Sequence, residues 1–379
     1  MFRALPLPRT LDAAFRDLRA DKPAVRAAAL RDLVVYALPE TETDGDPAGD
    51  PQTPGDPAGE RERILRALRT ALRNDEAASV RAVAATALAD AGAREALPDL
   101  LLAVEDDDPL VRQMAIAALG ELGDSRATER LRRALADDRA ELRFQAVMAF
   151  PRVSASAEAS IEALLHATHD ADAFVCHIAL RMTDEVRDGG PHDARVLARA
   201  SALLGHVSAE VRVASAVLVA QGARSSPEAP KEAPAEAPTP PDPRALRILT
   251  DVARGQVRTG DHEDEAAAIE LCGELGLTAA QAGLERRAFG GILGLRRDPY
   301  AWHARVALAR LGHERARRDI LRELGARDRD VCTLAVAAAG RAHLAAARER
   351  ILALRGDAGR ADPDAVAEAL AALTELQTS

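Results

Sequence analysis

A repeat of 31 residues constrains this chain more than any other feature of its sequence. Two copies lie in register between residues 93 and 154, so that residues 107–112 align with residues 138–143. The apolar residues that follow each turn are spaced i, i+4, i+7, i+8 and i+11, which is one face of an α-helix. They are Val111, Ala115, Ala118, Leu119 and Leu122 in the first copy and Leu142, Ala146, Ala149, Phe150 and Val153 in the second.

A shorter apolar stripe precedes each of these helices, so each repeat predicts a helical hairpin. The shorter stripes are Leu97, Leu100, Leu101 and Val104, then Leu131, Ala134 and Leu135. A period in this range is typical of a stacked solenoid, in which neighbouring hairpins complete each other's core. Weaker copies continue in both directions. The pattern predicts ten hairpins, six before residues 225–243 and four after them.

Composition narrows the fold class and the kinds of partner. Hydrophobic residues make up 47% of the chain but aromatic residues only 2%, so the core must consist mainly of alanine, leucine and valine, which favours an all-α fold. A formal net charge of −10 disfavours nucleic acid as a partner, since phosphate binding needs a positive surface. No apolar run approaches the roughly 20 residues that cross a bilayer, and no signal peptide is evident, so we predict a cytoplasmic protein without membrane insertion.

The segment at 107–124 reads Asp-Asp-Pro-Leu-Val-Arg-x-x-Ala-x-x-Ala-Leu-Gly-x-Leu-Gly-Asp. It resembles the HEAT repeat, in particular the short repeats of the phycobilin-lyase type. The resemblance implies a right-handed α-solenoid of about ten helical hairpins that binds other macromolecules, with the second helices lining the concave face. It also implies that the turn aspartate and the arginine after the valine pair along that face.

On this basis we divide the chain into five parts. These are an N-terminal capping repeat at 1–38, an acidic disordered loop rich in Pro and Gly at 39–60, a HEAT-like repeat block at 61–224, a linker rich in Pro, Ala and Glu at 225–243, and a second HEAT-like block at 244–379. The two low-complexity segments cannot bury enough apolar surface to offset the entropy lost on ordering.

Acidic and basic residues recur at fixed places in the predicted turns. Asp21, Glu76, Asp107 and Asp138 each precede an arginine by five residues, namely Arg26, Arg81, Arg112 and Arg143. Each acid falls at a helix N-terminus, where the helix dipole favours negative charge, and each arginine can reach that acid or the acid of the next repeat. This ladder favours caps and inter-repeat clips, with ligand recognition as the alternative. Arg212 continues the row, whereas Glu265, Ala301, Cys332 and Ala367 end it.

The densest group of potential metal ligands consists of His166, His169 and His177 with Cys176. His166 and His169 are three residues apart on one predicted helix, and the following turn can bring His177 back towards them. No second ligand motif supports a metal site, so a surface or packing role is favoured and no cofactor is predicted. The His-Glu pairs of the di-iron HEAT protein deoxyhypusine hydroxylase are replaced at the matching positions, for example by Trp302-His303.

The least expected local chemistry lies at residues 296–305. Tyr300 takes the place of the valine of the repeat, and Trp302 and His303 follow on the adjoining face, so the only tryptophan lies beside one of the two tyrosines. Aromatic residues and arginine dominate the energetics of protein interfaces. Core packing is one interpretation of this cluster, and contact with a partner is the other.

We predict a non-enzymatic scaffold that binds a protein partner, because a preformed solenoid surface limits the entropy lost on binding. The candidate partner contacts are Arg81, Arg112, Arg143, Arg212, Tyr300, Trp302 and His303. The alternative is a lyase-type HEAT protein that handles a tetrapyrrole or another small molecule. That function would require a tight cleft with converging polar groups.

Overall fold

The computed structural model describes residues 9–38, 57–187, 189–224, 241–290, 298–357 and 359–375. Within these ranges the chain forms twenty α-helices and four single 3-10 turns, and it contains no β-strand. Consecutive α-helices pair into ten hairpins, six before the second low-complexity segment and four after it. The fold class and the number of hairpins predicted from the repeat are therefore confirmed.

The first six hairpins are formed by α1 (Leu11–Asp17), α2 (Pro23–Ala37), α3 (Pro57–Asn74), α4 (Ala78–Asp90), α5 (Leu97–Ala103), α6 (Pro109–Leu122), α7 (Thr128–Ala134), α8 (Ala140–Val153), α9 (Ala157–Ala167), α10 (Ala173–Arg187), α11 (Ala194–Leu203) and α12 (Ala209–Arg224). The last four are formed by α13 (Pro243–Arg254), α14 (His262–Glu274), α15 (Gln281–Phe289), α16 (Ala301–Arg310), α17 (Glu314–Glu323), α18 (Arg329–Arg341), α19 (Arg348–Leu354) and α20 (Pro363–Glu375).

The chain divides into two compact units, Met1–Asp188 and Gly189–Ser379. In unit 1 the second helices of consecutive hairpins, α2, α4, α6, α8 and α10, pack side by side in that order. In unit 2 the second helices α12, α14, α16, α18 and α20 do the same. Each unit therefore has one face made of second helices.

The low-complexity segments touch the described residues only at their edges. Helix α3 begins at Pro57, so residues 57–60, predicted as the end of the acidic loop, are helical. Residues 39–56 and 225–240 lie outside the described residues, and so do the predictions of disorder for them.

Helix α6 shows how the sequence sets the limits of a repeat. The Asp108 carboxylate accepts the N–H of Leu110 at 2.8 Å and caps the helix, and Pro109 occupies its first position. At the other end Gly123 has φ 63°, a left-handed conformation that glycine adopts without steric cost and that closes the helix. Asp-Pro and Leu-Gly-Asp are therefore start and stop signals of this repeat.

The predicted apolar stripes form the core of unit 1. All ten residues of the two clearest stripes are at most 6% exposed, and Phe150 is fully buried. Leucines of the first helices, among them Leu100 and Leu131, pack against the stripes from the other side. Each fully buried leucine of this kind contributes about 1.5 to 3 kcal/mol from removal of apolar surface from water.

Glycine sets the spacing between α6 and α8. A Cβ atom on Gly120 would lie 2.7 Å from the Cβ of Ala149 and 2.8 Å from its Cα, so the two backbones approach too closely for any larger residue. Gly340 stands in the same relation to Ala369, with a Cβ-to-Cα distance of 2.7 Å. Small residues at these crossings allow neighbouring second helices to pack closely.

Replacing Gly120 with alanine should therefore destabilise unit 1. The backbones must separate, which costs about 1 to 3 kcal/mol, more than the roughly 1 kcal/mol that alanine adds to helix propensity. Urea unfolding followed by circular dichroism would measure the change. Gly205→Ala is the matched control, because no atom lies within 4 Å of a Cβ at that position. A neutral Gly120→Ala would show that the crossing can widen freely.

Candidate functional site

Part of the arginine row forms clips between neighbouring hairpins. Arg81 on α4 donates from Nε and Nη2 to the two carboxylate oxygens of Asp106, at 2.8 and 2.7 Å, in the turn before α6. Its Nη1 donates to the carbonyl of Asp75 at 2.9 Å. Arg143 makes the same bidentate pair with Asp170, at 2.7 and 2.8 Å. A planar fork on two carboxylate oxygens fixes geometry better than a single charge contact does.

The acids of these clips differ from the acids singled out in the sequence. Asp75 and Asp106 supply the carboxylates, one residue before Glu76 and Asp107, which offer the arginines mainly their backbone carbonyls. The carboxylate of the first acid in each turn is also fixed by the backbone, because its Oδ1 accepts the N–H of the residue two positions later. Asp106 Oδ1 accepts the N–H of Asp108 at 2.9 Å in this way. The hydrogen bond from Arg81 holds the pKa of the Asp106 carboxyl below its usual range.

Two members of the row have no such carboxylate among the described residues. Arg112 Nη1 donates to the carbonyls of Asp106 and Asp107 at 2.9 and 3.3 Å. Arg212 Nη1 donates to the carbonyls of His206 and Val207 at 2.7 and 2.9 Å. In the described part of the chain neither guanidinium pairs with an acid. Arg112 and Arg212 thus keep the hydrogen bonds to the backbone carbonyls of the preceding turn and lack the bidentate pair with a carboxylate of the next hairpin.

The aromatic cluster of unit 2 contains one buried and two partly exposed residues. Tyr300 is 7% exposed, and its hydroxyl lies 2.7 Å from Nδ1 of His262. The Arg287 guanidinium lies 5.3 Å from the centre of the Tyr300 ring, and burial raises the pKa of the phenol. Trp302 is half-buried with the Arg305 guanidinium 4.8 Å from its ring centre. Tyr300 therefore serves as core, while Trp302 remains accessible.

Charged residues occupy the second-helix face of unit 2. His303 Nδ1 and Arg341 Nη1 each lie 2.6 Å from Oε1 of Glu270, and Arg310 Nη1 lies 2.5 Å from Oε1 of Glu274. Burial lowers the pKa of Arg310. These groups come from α14, α16 and α18 and form ion pairs between neighbouring helices.

The three histidines weighed as metal ligands do not converge. His166 and His169 are exposed at the end of α9 and in the following turn, whereas His177 is buried on α10. Among the described residues the three do not form a three-ligand group.

The second-helix face of unit 1 holds a groove that sequence reasoning missed. It has a volume of about 360 Å³ and runs over α4 between α2 and α6; we call it the α4 groove. It is lined by Arg31, Ser79, Ala82, Val83, Thr86, Ala87, Asp90, Leu110 and Met114. Leu110 is 46% exposed, and further along the same face Phe174 on α10 is 67% exposed. The face presents apolar side chains with single charges, Arg31 and Asp90, at the groove.

A sequence signal for this groove exists. The position three residues after the valine of each repeat is apolar in Val83, Met114 and Ile178, although it lies beside the buried stripe rather than in it. An apolar residue just outside the core stripe widens the hydrophobic face of a helix beyond what one neighbour can cover.

No described helix combines the length and apolarity needed to cross a bilayer.

Comparison with known proteins agrees with the architecture. Residues 65–151 match the family model for HEAT repeats. A search of curated protein sequences found no significant match. Among solved structures, YibA of Escherichia coli is 15% identical over 81% of this chain and 93% of that chain, with a TM-score of 0.51, which shows the fold alone.

Two other solved structures match with lower TM-scores. The complex of CpcE and CpcF of phycocyanin lyase from Nostoc sp. PCC7120 is 20% identical over 83% of this chain and 91% of that chain, with a TM-score of 0.32. Kap95p, bound to RanGDP, is 12% identical over 96% of this chain and 51% of that chain, with a TM-score of 0.46. The family match identifies HEAT repeats at residues 65–151, and the ten helical hairpins of the described residues extend the same architecture on both sides of that segment.

Proposed function

We propose that this protein is a non-enzymatic scaffold that binds a protein partner through the second-helix face of unit 1. The observation that carries the proposal is the α4 groove, in which Leu110 is 46% exposed and the partly buried Val83 and Met114 complete an apolar lining. Exposed apolar surface on a folded protein marks binding sites more often than chance, and methionine adapts readily to different partners. Arg31 and Asp90 would orient the partner.

The rigidity of this surface supports the same role. The second helices beneath the groove are held by the Arg81 clip and by close packing between α4 and α6, so the groove exists before a partner arrives. A preformed groove avoids the entropy cost of ordering side chains and loops on binding. An apolar helix or an extended segment with alternating apolar residues would fit such a surface.

Site-specific photocrosslinking in the native cell tests the proposal. A benzophenone amino acid at Met114 should yield one discrete adduct with a partner protein, and the same group at Glu129 on α7 should not, because Glu129 lies outside the groove and is exposed. Leu110→Glu should abolish the Met114 adduct. This substitution places a carboxylate in the first turn of α6, where the helix dipole tolerates it, so the fold is retained.

Equal adducts from Met114 and Glu129, or an adduct that survives Leu110→Glu, would count against the groove as the contact surface.

Of the candidate contacts predicted from the sequence, we propose to test Arg112 and Trp302 first. Both are partly exposed, and Arg112 lacks the bidentate acid that occupies its neighbours in the described residues. Arg112→Ala should reduce partner capture while helical content is unchanged. Trp302→Ala tests separately whether unit 2 also contacts a partner.

A further inference from the structure

A second groove in unit 1 is lined mainly by residues of the first helices α1 and α3 and of the turns that follow them. It has a volume of about 540 Å³, and we call it the α1–α3 groove. Its lining combines an apolar floor with several arginines and one acid: Phe15, Leu18, Arg19, Arg26, Arg63, Arg66, Ala67, Thr70, Ala71, Asn74, Asp75 and Val80. A basic groove on a chain whose net charge is −10 is a local reversal of sign.

Two of its four arginines are already paired. Arg26 holds Asp75, the only acid of the lining, through two hydrogen bonds of 2.8 Å. Arg66 lies 2.6 Å from Glu62, but both side chains are more than 70% exposed, and such surface pairs contribute little. Among the described residues Arg19 and Arg63 have no carboxylate partner. The groove therefore presents positive charge that its own lining does not neutralise.

Arg63 is held in place by an aromatic ring. Its guanidinium lies 3.9 Å from the centre of the Phe15 ring, close enough for a cation–π interaction. This contact positions the guanidinium beside the apolar floor, although Arg63 is an exposed residue. A guanidinium positioned in this way can bind a carboxylate with less loss of side-chain entropy than a guanidinium that moves freely.

We propose that the α1–α3 groove binds an acidic, extended peptide segment of a partner protein, with an apolar side chain between carboxylates. Arg19 and Arg63 bind the carboxylates, and Phe15, Leu18 and Ala67 receive the apolar side chain. In an extended peptide, alternate side chains share a face, so acidic and apolar residues can address the arginines and the floor together. This surface is separate from the α4 groove, and the two can be tested independently.

Fluorescence anisotropy with the full chain tests the inference. The probe is a fluorescein-labelled peptide, Gly-Glu-Glu-Leu-Glu-Glu-Leu-Glu-Gly-amide, and its twin carries Gln for every Glu. The acidic probe should bind about tenfold or more tightly than the twin, and its affinity should fall as salt is added. Arg19→Gln with Arg63→Gln should weaken binding by about tenfold.

Two further variants separate binding from folding. Thr70→Glu adds a negative charge at an exposed position in the groove and should also weaken binding of the acidic probe, without loss of helical content. Arg315→Gln is the matched control, because Arg315 stacks on Phe289 at 4.1 Å in unit 2 and has no part in the groove. Its affinity for the probe should equal that of the wild type.

Equal binding of the two peptides, or an affinity insensitive to both groove variants, would overturn the proposal. A third result would also overturn it: the acidic probe binds only to a variant in which the six acids within residues 39–56 are changed to amides. In that case the chain's own acidic segment, rather than a partner, is the ligand of the arginines.

Discussion

Replacing Arg69 and Arg73 together with glutamine should lower the free energy of unfolding by about 3 to 5 kcal/mol. Both arginines lie on α3 and bind the carboxylate of Asp99 on α5; the Nε of Arg69 is 2.5 Å from it. The Asp99 side chain has no exposure to solvent. Removing both cations leaves a buried negative charge without compensation, which is the costly way to break an ion pair. Urea unfolding at pH 7, followed by circular dichroism, measures the loss.

Adding Asp99→Asn to this double variant separates charge from packing. If the cost arises from the orphaned carboxylate, the triple variant should recover most of the lost stability, because an amide is neutral and nearly the same shape. A triple variant as unstable as the double would mean that the arginines act through the packing of their aliphatic chains, and the electrostatic explanation would fail.

Arg81→Gln and Arg143→Gln should each lower the free energy of unfolding by about 2 to 3 kcal/mol at pH 7. Both arginines are less than one-fifth exposed, and each bridges a second helix to the turn of the next hairpin through a bidentate pair. Arg112→Gln is the internal control, since it lies in the same row but has no carboxylate partner in the described residues. It should cost about 1 kcal/mol or less. Equal losses of unfolding free energy at all three positions would show that the bidentate pairs with Asp106 and Asp170 do not stabilise the protein.

The clips also predict a dependence on pH. Hydrogen bonds from Arg81 and Arg143 lower the pKa of Asp106 and of Asp170. A carboxyl whose pKa falls on folding stabilises the protein fully above its unfolded value, about 4, and loses this contribution as the pH falls through its folded value. The stability difference between wild type and Arg81→Gln should therefore be full at neutral pH and shrink below about pH 4. A difference that stays constant with pH would exclude the carboxylate as its origin.

The hairpins could be predicted because their cause is local and repeated. A stripe at helical spacing, an aspartate before it and a Leu-Gly after it each act within about one turn of helix, and ten copies reinforce the pattern. Val111, Ala115 and Leu119 are buried as the spacing requires. Where a repeat departs from the pattern, as at Tyr300, the residue still occupies the valine position and is buried there.

The identity of the clip acids was harder to predict, because most turns carry two acids in succession. Asp106-Asp107 and Asp75-Glu76 offer a carboxylate at both places, and the choice depends on which oxygen can also accept the amide two residues later. One turn does reveal the answer. Asp170 is followed by Ala171, so only the first position can supply the acid there.

The two grooves depend on tertiary packing and could not be predicted in this detail. The α4 groove needs residues of three hairpins side by side, and the α1–α3 groove needs helices separated by residues 39–56 to be neighbours. In the sequence, Met114 indicates only that the apolar face of its helix is wide, and Arg63 has the pattern of ordinary helix surface. Only the packing shows which of these positions face the same space.

The Asp-to-Arg clips also limit how the chain can change in length. Within unit 1, α4 and α8 each offer an arginine to the next hairpin, whose turn offers the matching carboxylate, so duplicating or deleting a whole repeat joins compatible ends. The position after Val175 is Cys176 instead of arginine, and the corresponding place in the next turn is His206 instead of aspartate. If a repeat were copied directly after α10, the acid in its turn would follow Cys176, which cannot form the ion pair that an arginine forms. Recombination by whole repeats is thus favoured before α10 and disfavoured directly after it.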